Sequence, residues 1–237
     1  MHRFDQPLHQ GRLIKRYKRF LADIELSSGE LITAHCANTG PMTGCAEPGS
    51  AVLLTKSDNP ARKLQYSLEL IKVGRTWVGI NTARPNAIVE DAIVSGAVKE
   101  LKGYEGLRRE VKYGRGGKSR IDILLEDEKH GRCWVEVKNT TLLTEPGMAR
   151  FPDAVTTRGQ KHLQELTDMA KAGDRAVIFF LVNRADAARM GPADEIDPVY
   201  GKLLRKALKA GVEALAYQVK NTKRGAQITG RLPVVLD

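Results

Sequence analysis

Arg120-Ile121-Asp122-Ile123-Leu124-Leu125 and Cys133-Trp134-Val135-Glu136-Val137-Lys138 flank a short polar turn, Glu126 to Gly131. Each run has strand length and is rich in β-branched and aromatic residues, so the pair reads as a hairpin centred near Lys129. That pairing sets Asp122 opposite Glu136 and Leu124 opposite Trp134. Strand side chains repeat every second residue, so Glu136 and Lys138 share a face and Asp122 joins them there. Two carboxylates directly opposite repel by roughly 0.2–1 kcal/mol. A divalent cation would relieve that repulsion. Mg²⁺ takes one or two carboxylates, several waters and a phosphate oxygen, and the Val137 carbonyl is placed to complete such a set. Lys138 would then orient a water or stabilise charge building on a phosphate. The alternative is a solvated face on which both carboxylates pair with Lys138 and Arg120. The tripeptide acidic-x-Lys decides nothing alone, since it occurs four times, at Glu100, Glu110, Asp127 and Glu136.

Outward from this hairpin the rhythm is strand–helix–strand. A helix is predicted from about Ala87 to Ser95, and a strand over Glu110–Tyr113. A longer helix runs from about Arg158 to Ala172, with Leu163, Leu166, Met169 and Ala170 on one stripe and Gly173 as its stop. Ala176-Val177-Ile178-Phe179-Phe180-Leu181-Val182 is an unbroken apolar run, as in a strand buried on both faces. A helix over Pro198–Ala210 ends at Gly211 and leads into the strand-like Val212–Tyr217. This order predicts an α/β unit with a mixed sheet.

The first 82 residues read differently. Lys18 to Leu26 alternates, with Phe20, Ala22, Ile24 and Leu26 on one face, so Phe20 is expected in the core. Ser28-Gly29 is a hairpin turn before Leu31–His35, and further strands are predicted near Ala51–Leu54, Tyr66–Leu70 and Trp77–Ile80. Several short strands broken by Gly and Pro predict a small closed β-barrel of OB type. Arg12, Lys15, Arg16, Lys18 and Arg19 crowd one stretch, with Tyr17 and Phe20 between them. Single-strand binders combine such charge with aromatic platforms, and Arg62 and Lys63 extend the track. The alternative is one solvated strand face.

The 237 residues carry a net charge of +10, which points to a polyanionic partner, nucleic acid first. Ribosome association or an anionic membrane surface fits the same number. No run approaches the ~18 apolar residues of a membrane span, and Met1–Gln10 is unlike a signal peptide. Three cysteines with no C-x-x-C pair argue against a disulfide framework and against zinc at His35-Cys36, and favour a reducing cytoplasm.

The chain resembles the sugar fermentation stimulation protein A (SfsA) family along nearly its full length. The stretches that carry the resemblance are Arg16–Asp23, His35–Gly40, Ser57-Asp58-Asn59, Ser119–Asp122, Val135–Lys138, Phe151–Thr156 and Arg158–Leu163. It implies an OB-type domain over 1–82, followed over 83–237 by a restriction-endonuclease-like PD-(D/E)XK domain. It also implies sequence-nonspecific DNA binding and a link to sugar (maltose) metabolism; a nuclease activity is what the fold implies. The superfamily pattern takes Asp122 as the strand aspartate and Glu136-Val137-Lys138 as the E-x-K element, with Ile121 where the eponymous proline stands. Asp91, with Glu90 beside it, matches the acidic position on the preceding helix and is the expected third metal ligand, or else an exposed carboxylate. Gln160, Lys161 or His162 would supply a polar group from the following helix, Lys161 as a DNA contact and His162 as a phosphate contact or a packing histidine.

Two functions compete. One is a Mg²⁺- or Mn²⁺-dependent phosphodiesterase acting on DNA, with Asp122, Glu136 and Lys138 catalytic. The other is a non-catalytic DNA-binding regulator, for which Leu203–Val212 offers the start of a helix-turn-helix. The strand character of Val212–Val219 speaks against that motif.

Overall fold

In the computed structural model, which describes residues 1–236, the chain begins with β1 (His2–Arg3), β2 (His9–Tyr17), β3 (Leu21–Leu26) and β4 (Leu31–His35). β5 (Ala51–Lys56), β6 (Tyr66–Val73) and β7 (Thr76–Gly79) complete this half. Asp237, the last residue of the expected second domain, lies outside the described residues. Strand order is β4-β3-β2-β5-β6-β7, and a parallel His35–Ser67 pairing joins β4 to β6 and closes a five-stranded barrel. The barrel is filled by the alternating apolar residues Leu13, Ala22, Ile24, Val52, Leu54, Leu68 and Ile71, all nearly inaccessible. Gly11 lets β2 and β3 close at this point, since a Cβ there would sit 2.6 Å from Ile24 Cγ2 and 2.8 Å from the Glu25 carbonyl.

The strand predicted from Lys18 starts later. Residues 18–20 form the turn between β2 and β3, with Lys18 at φ 48° and Arg19 at φ 64°. Phe20 is therefore outside the alternating stretch and 47% exposed, contrary to its expected place in the core. The periodic reading carried the strand three residues too far into a turn.

The second half runs α1 (Pro85–Val94), β8 (Gly106–Tyr113), β9 (Ser119–Asp127), β10 (Gly131–Thr140), β11 (Leu142–Glu145) and β12 (Met148–Phe151). Then follow α2 (Thr157–Lys171), β13 (Arg175–Val182), β14 (Arg189–Pro192), α3 (Pro198–Lys209), β15 (Glu213–Thr222) and β16 (Gly225–Leu232). Its main sheet has seven strands, β1-β16-β15-β13-β10-β9-β8, parallel at β10-β13-β15 and antiparallel elsewhere. β13 is the apolar run Ala176–Val182, and both its faces are covered. Val177, Phe179 and Leu181 meet Ile88, Val89, Ala92 and Ile93 of α1 in one core. Ile178 and Phe180 meet Leu163 and Leu166 of α2 and Tyr200 and Leu204 of α3 in another. The segment after Gly211 enters β15, buried at Leu215, Ala216 and Tyr217, so the helix-turn-helix reading of Leu203–Val212 is excluded.

The two halves are locked together. β1 leaves the barrel half to pair with β16. Gly79 donates its backbone N–H to the Asn183 carbonyl at 2.9 Å, and the Asn221 amide reaches the Trp77 and Asn183 carbonyls at 3.3 and 3.1 Å. Glu69 of β6, 1% exposed, receives Arg84 at the head of α1 through two bonds of 3.0 and 2.8 Å.

Candidate active site

The β9–β10 register pairs Leu124 with Trp134, as expected, and its last pair is Val135–Ile123. Asp122 and Glu136 are the next pair in that register, and there the backbone ladder stops. The β8–β9 register likewise passes from Arg109–Ile123 to Val111–Ile121, skipping Glu110, whose φ is 53°. The interruption turns Asp122 away from plain strand pairing. Its Oδ2 accepts the Val137 N–H at 2.7 Å, and its Oδ1 accepts Asn86 Nδ2 at 2.9 Å. In a strand the N–H and C=O of one residue point the same way, so the Val137 carbonyl faces the same break in the sheet.

Glu136 is 2% exposed and faces α2. Its Oε1 accepts Lys138 Nζ at 2.6 Å and also His162 Nδ1. Arg158 Nε donates to His162 Nε2 at 3.4 Å, and arginine cannot accept, so His162 stands as the Nδ1–H tautomer. Helix α2 is set by its N-cap: the Thr156 hydroxyl accepts the Gly159 N–H at 3.0 Å. The following turns bring Arg158, His162 and Glu165 to one face. Glu165 accepts Ser119 Oγ at 2.7 Å, and Lys161 Nζ donates to the same hydroxyl at 2.8 Å. Tyr113 stacks on Trp134 with ring centres 5.6 Å apart.

Electrostatics separates the two carboxyls. Burial, then the neighbouring Glu136, pushes the Asp122 carboxyl above its ordinary value. Burial pushes Glu136 up as well, but Lys138 and His162 outweigh it and hold that carboxyl below the usual range. Burial, with Glu136, Glu165 and Asp122 nearby, drives the Tyr113 phenol far up, so it stays neutral.

One atom bears directly on a metal. Glu136 Oε2 is buried and accepts no hydrogen bond from the described residues, an arrangement that a cation would satisfy. Among the described residues no group of three His, Cys, Asp or Glu side chains is set to hold a metal. Two carboxylates and a carbonyl suit a cation that keeps its waters, as Mg²⁺ does, and not a zinc cage.

Asp91 does not belong to this cluster. Its half-exposed carboxylate meets His2 Nδ1 at 2.8 Å, while Glu90 pairs with Arg109 at 3.2 Å. The residue that α1 brings to Asp122 is Asn86, in the first turn of the helix. Asn86, Arg158 and Glu165 were not singled out from the sequence; Glu165, three residues after His162 on the same helix face, was the one with a readable signal.

The basic stretch divides. Arg12, Lys15, Lys18 and Arg19 are exposed; Lys15 lies 3.5 Å from Asp23 and over the Tyr17 ring, whose hydroxyl donates to Asp23 at 3.0 Å. Arg12 donates to the Gly49 carbonyl at 2.6 Å. Arg16 is an internal strut instead, its guanidinium on the carbonyls of Arg19, Asn38 and Gly40 at 2.6, 2.7 and 2.8 Å. Arg62 donates to Ser67 Oγ at 2.7 Å, Lys63 is exposed, and Lys161 is exposed beside the site.

With this geometry described, comparison with known proteins decides the family. The model of the SfsA N-terminal OB domain matches residues 14–80, and that of the sugar fermentation stimulation protein RE domain matches residues 83–225. The chain belongs to the sugar fermentation stimulation protein family. It is 56% identical over 230 residues to the family homolog of Geobacter sulfurreducens, covering 97% of each chain. It is 53% identical to the Maricaulis maris homolog, covering 91% of each. The structure of Pyrococcus furiosus SfsA in complex with Ca²⁺ superimposes with a TM-score of 0.89 at 29% identity, covering 99% of both chains. This chain and that relative thus share the OB barrel and the mixed-sheet domain as one arrangement. No helix among the described residues is long and apolar enough to cross a membrane.

Proposed function

We propose that this protein binds DNA without sequence preference and hydrolyses its phosphodiester backbone at Asp122, Glu136 and Lys138 with bound Mg²⁺ or Mn²⁺. The observation that carries this reading is the buried Glu136 Oε2, without a hydrogen-bond partner among the described residues, beside an Asp122 fixed by Val137 N–H and Asn86. Asp122, Glu136 and the Val137 carbonyl would hold the cation; bound there, it supplies Lewis-acid stabilisation and an activated water. Asp91, engaged by His2, takes no part. The Ca²⁺ in the Pyrococcus furiosus relative supports a divalent cation in this family. Lys138 carries its ammonium into the same space and opposes negative charge developing on the phosphate. His162 holds Glu136 in orientation through its Nδ1–H. Residues 1–82 grip the substrate through Arg12, Lys15, Lys18, Arg19, Arg62 and Lys63, with Lys161 contributing from residues 83–237. A cytoplasmic location suits three buried free thiols.

The test is cleavage of supercoiled and short linear DNA with Mg²⁺ or Mn²⁺ by the parent, Asp122→Ala and Lys138→Ala. Metal-dependent cutting that Asp122→Ala abolishes supports the reading; no cutting of any DNA form by the parent sinks it.

A second reading, a DNA-binding regulator of sugar (maltose) metabolism that does not cut, draws on one observation. Lys138 already neutralises Glu136 Oε1 without a cation, and His162 Nδ1–H is bonded to the same oxygen. Salt-sensitive DNA binding by a parent that never cleaves would favour it.

A further inference from the structure

The β2–β3 turn is built in a way that barrel closure does not require. Lys18 and Arg19 both occupy the left-handed region, at φ 48° and 64°, where turns ordinarily place Gly or Asn. The turn is braced from beneath. Arg16 holds the Arg19 carbonyl, Arg19 Nε donates to the Thr39 carbonyl at 3.0 Å, and the Phe20 carbonyl accepts the Cys36 N–H at 2.9 Å. This braced tip presents the Phe20 ring to solvent, 47% exposed, next to the exposed Lys18 and Arg19.

The register shows what lies around it. Leu21 pairs with His35, His35 with Ser67, and Ser67 with Thr55, so the tip shares one barrel end with the 57–65 loop bearing Arg62 and Lys63. The same end adjoins the second domain: a Cβ on Gly40 would lie 3.0 Å from the Asp153 carboxylate, three residues before the N-cap of α2. That helix carries His162 to Glu136. An exposed aromatic ring amid phosphate-seeking cations matches one chemistry, an unpaired base on a polyanionic strand. In a duplex the base faces are covered by their neighbours, so the ring finds a face only where the strand is single.

We infer that Phe20 is a base-stacking platform, and that the barrel end at Lys18, Arg19 and Lys63 binds single-stranded DNA and leads it toward the Asp122–Glu136 site. The inference rests on the DNA-binding part of the proposed function and adds the form of DNA preferred.

The test is equilibrium binding of the full-length protein to a labelled oligo-dT strand and to a duplex of equal length, at fixed salt without divalent cation. Phe20→Ala is expected to lose about tenfold in single-strand affinity, within the range for one stacked base, with duplex affinity unchanged. Phe20→Trp is expected to bind as the parent does, its added indole fluorescence quenched by oligo-dT. Single-strand affinity equal in Phe20→Ala and parent overturns the inference alone. A parent that binds neither form overturns the proposed function as well.

Discussion

Asp122 Oδ2 accepts the Val137 backbone N–H at 2.7 Å, where the β9–β10 ladder has ended. The carboxylate stands in for a strand's carbonyl, so one side chain both finishes the sheet and faces the candidate cation site. Asparagine keeps an acceptor oxygen there and alanine does not. At about pH 4, where the raised Asp122 keeps its proton, Asp122→Asn is expected to unfold in urea near the parent midpoint, while Asp122→Ala loses about 1–3 kcal/mol through the unpaired N–H. Both are expected to lose Mn²⁺ binding by calorimetry. Full Mn²⁺ affinity in either variant would remove Asp122 from the cation site.

The two carboxyls make opposite contributions to stability against pH. Asp122, raised by burial and then by Glu136, keeps its proton in the folded state over a window where the unfolded chain has lost it. Unfolding then releases protons, and this group's contribution falls as pH rises from its ordinary 3.8 through the elevated value. Glu136 is the reverse: burial raises it, Lys138 and His162 prevail, and its contribution is present above the unfolded value and lost as pH falls through the lowered one. In metal-free urea unfolding, Asp122→Asn should gain on the parent as pH rises from about 4 to about 7. A constant difference across that range would contradict the raised Asp122.

The hairpin itself was legible because period-two alternation and a polar turn fix a register, and Leu124–Trp134 follows from it. Its interruption at Asp122 was not legible, because a break in a ladder arises from competition among backbone groups and leaves no residue pattern. The exposed Phe20 was misread for a related reason: alternation says nothing of where a turn begins, and Lys-Arg lacks the usual turn residues. Asp91 was the acidic residue at hand on α1, yet helix phase gives it to His2 and gives Asn86 to Asp122. Arg16, basic like its neighbours, is an internal strut because it holds the Arg19 carbonyl of its own turn and two carbonyls, of Asn38 and Gly40, from a distant loop.

Asn86 fixes Asp122 Oδ1 from the first turn of α1. Groups that orient a metal ligand typically contribute 10–100-fold in affinity. Asn86→Ala is expected to weaken Mn²⁺ binding by roughly tenfold on that rule while thermal unfolding stays close to the parent. Unchanged Mn²⁺ affinity would mean that Val137 alone suffices to hold Asp122.

Glu69 is buried in the barrel wall and bonded to Arg84, Thr55 and Asn81. The Glu69 bond raises the Arg84 guanidinium above its ordinary value, outweighing burial, which opposes the charge. Arg84→Met strands a buried carboxylate, for which the expected loss is about 3–5 kcal/mol. Adding Glu69→Gln removes that charge and keeps an acceptor for Asn81. A double-mutant cycle in urea should therefore recover a large part of the loss; additive losses would show that the pair does not act as a unit.

Gly79 ends β7 where the barrel meets the second domain, and a Cβ there would overlap the Asn183 amide. That amide is itself tied to Asn139 at 2.9 Å, and its oxygen to Asn221 at 2.8 Å, so it cannot simply rotate away. Gly79→Ala must open the seam or break these bonds, at about 1–3 kcal/mol for overpacking a filled site. The damage falls between two separately cored halves. Limited proteolysis should therefore cut the variant near residues 80–84 well before global unfolding, while the parent resists. Equal resistance of the two proteins would mean that the asparagine seam yields without separating the barrel from the sheet.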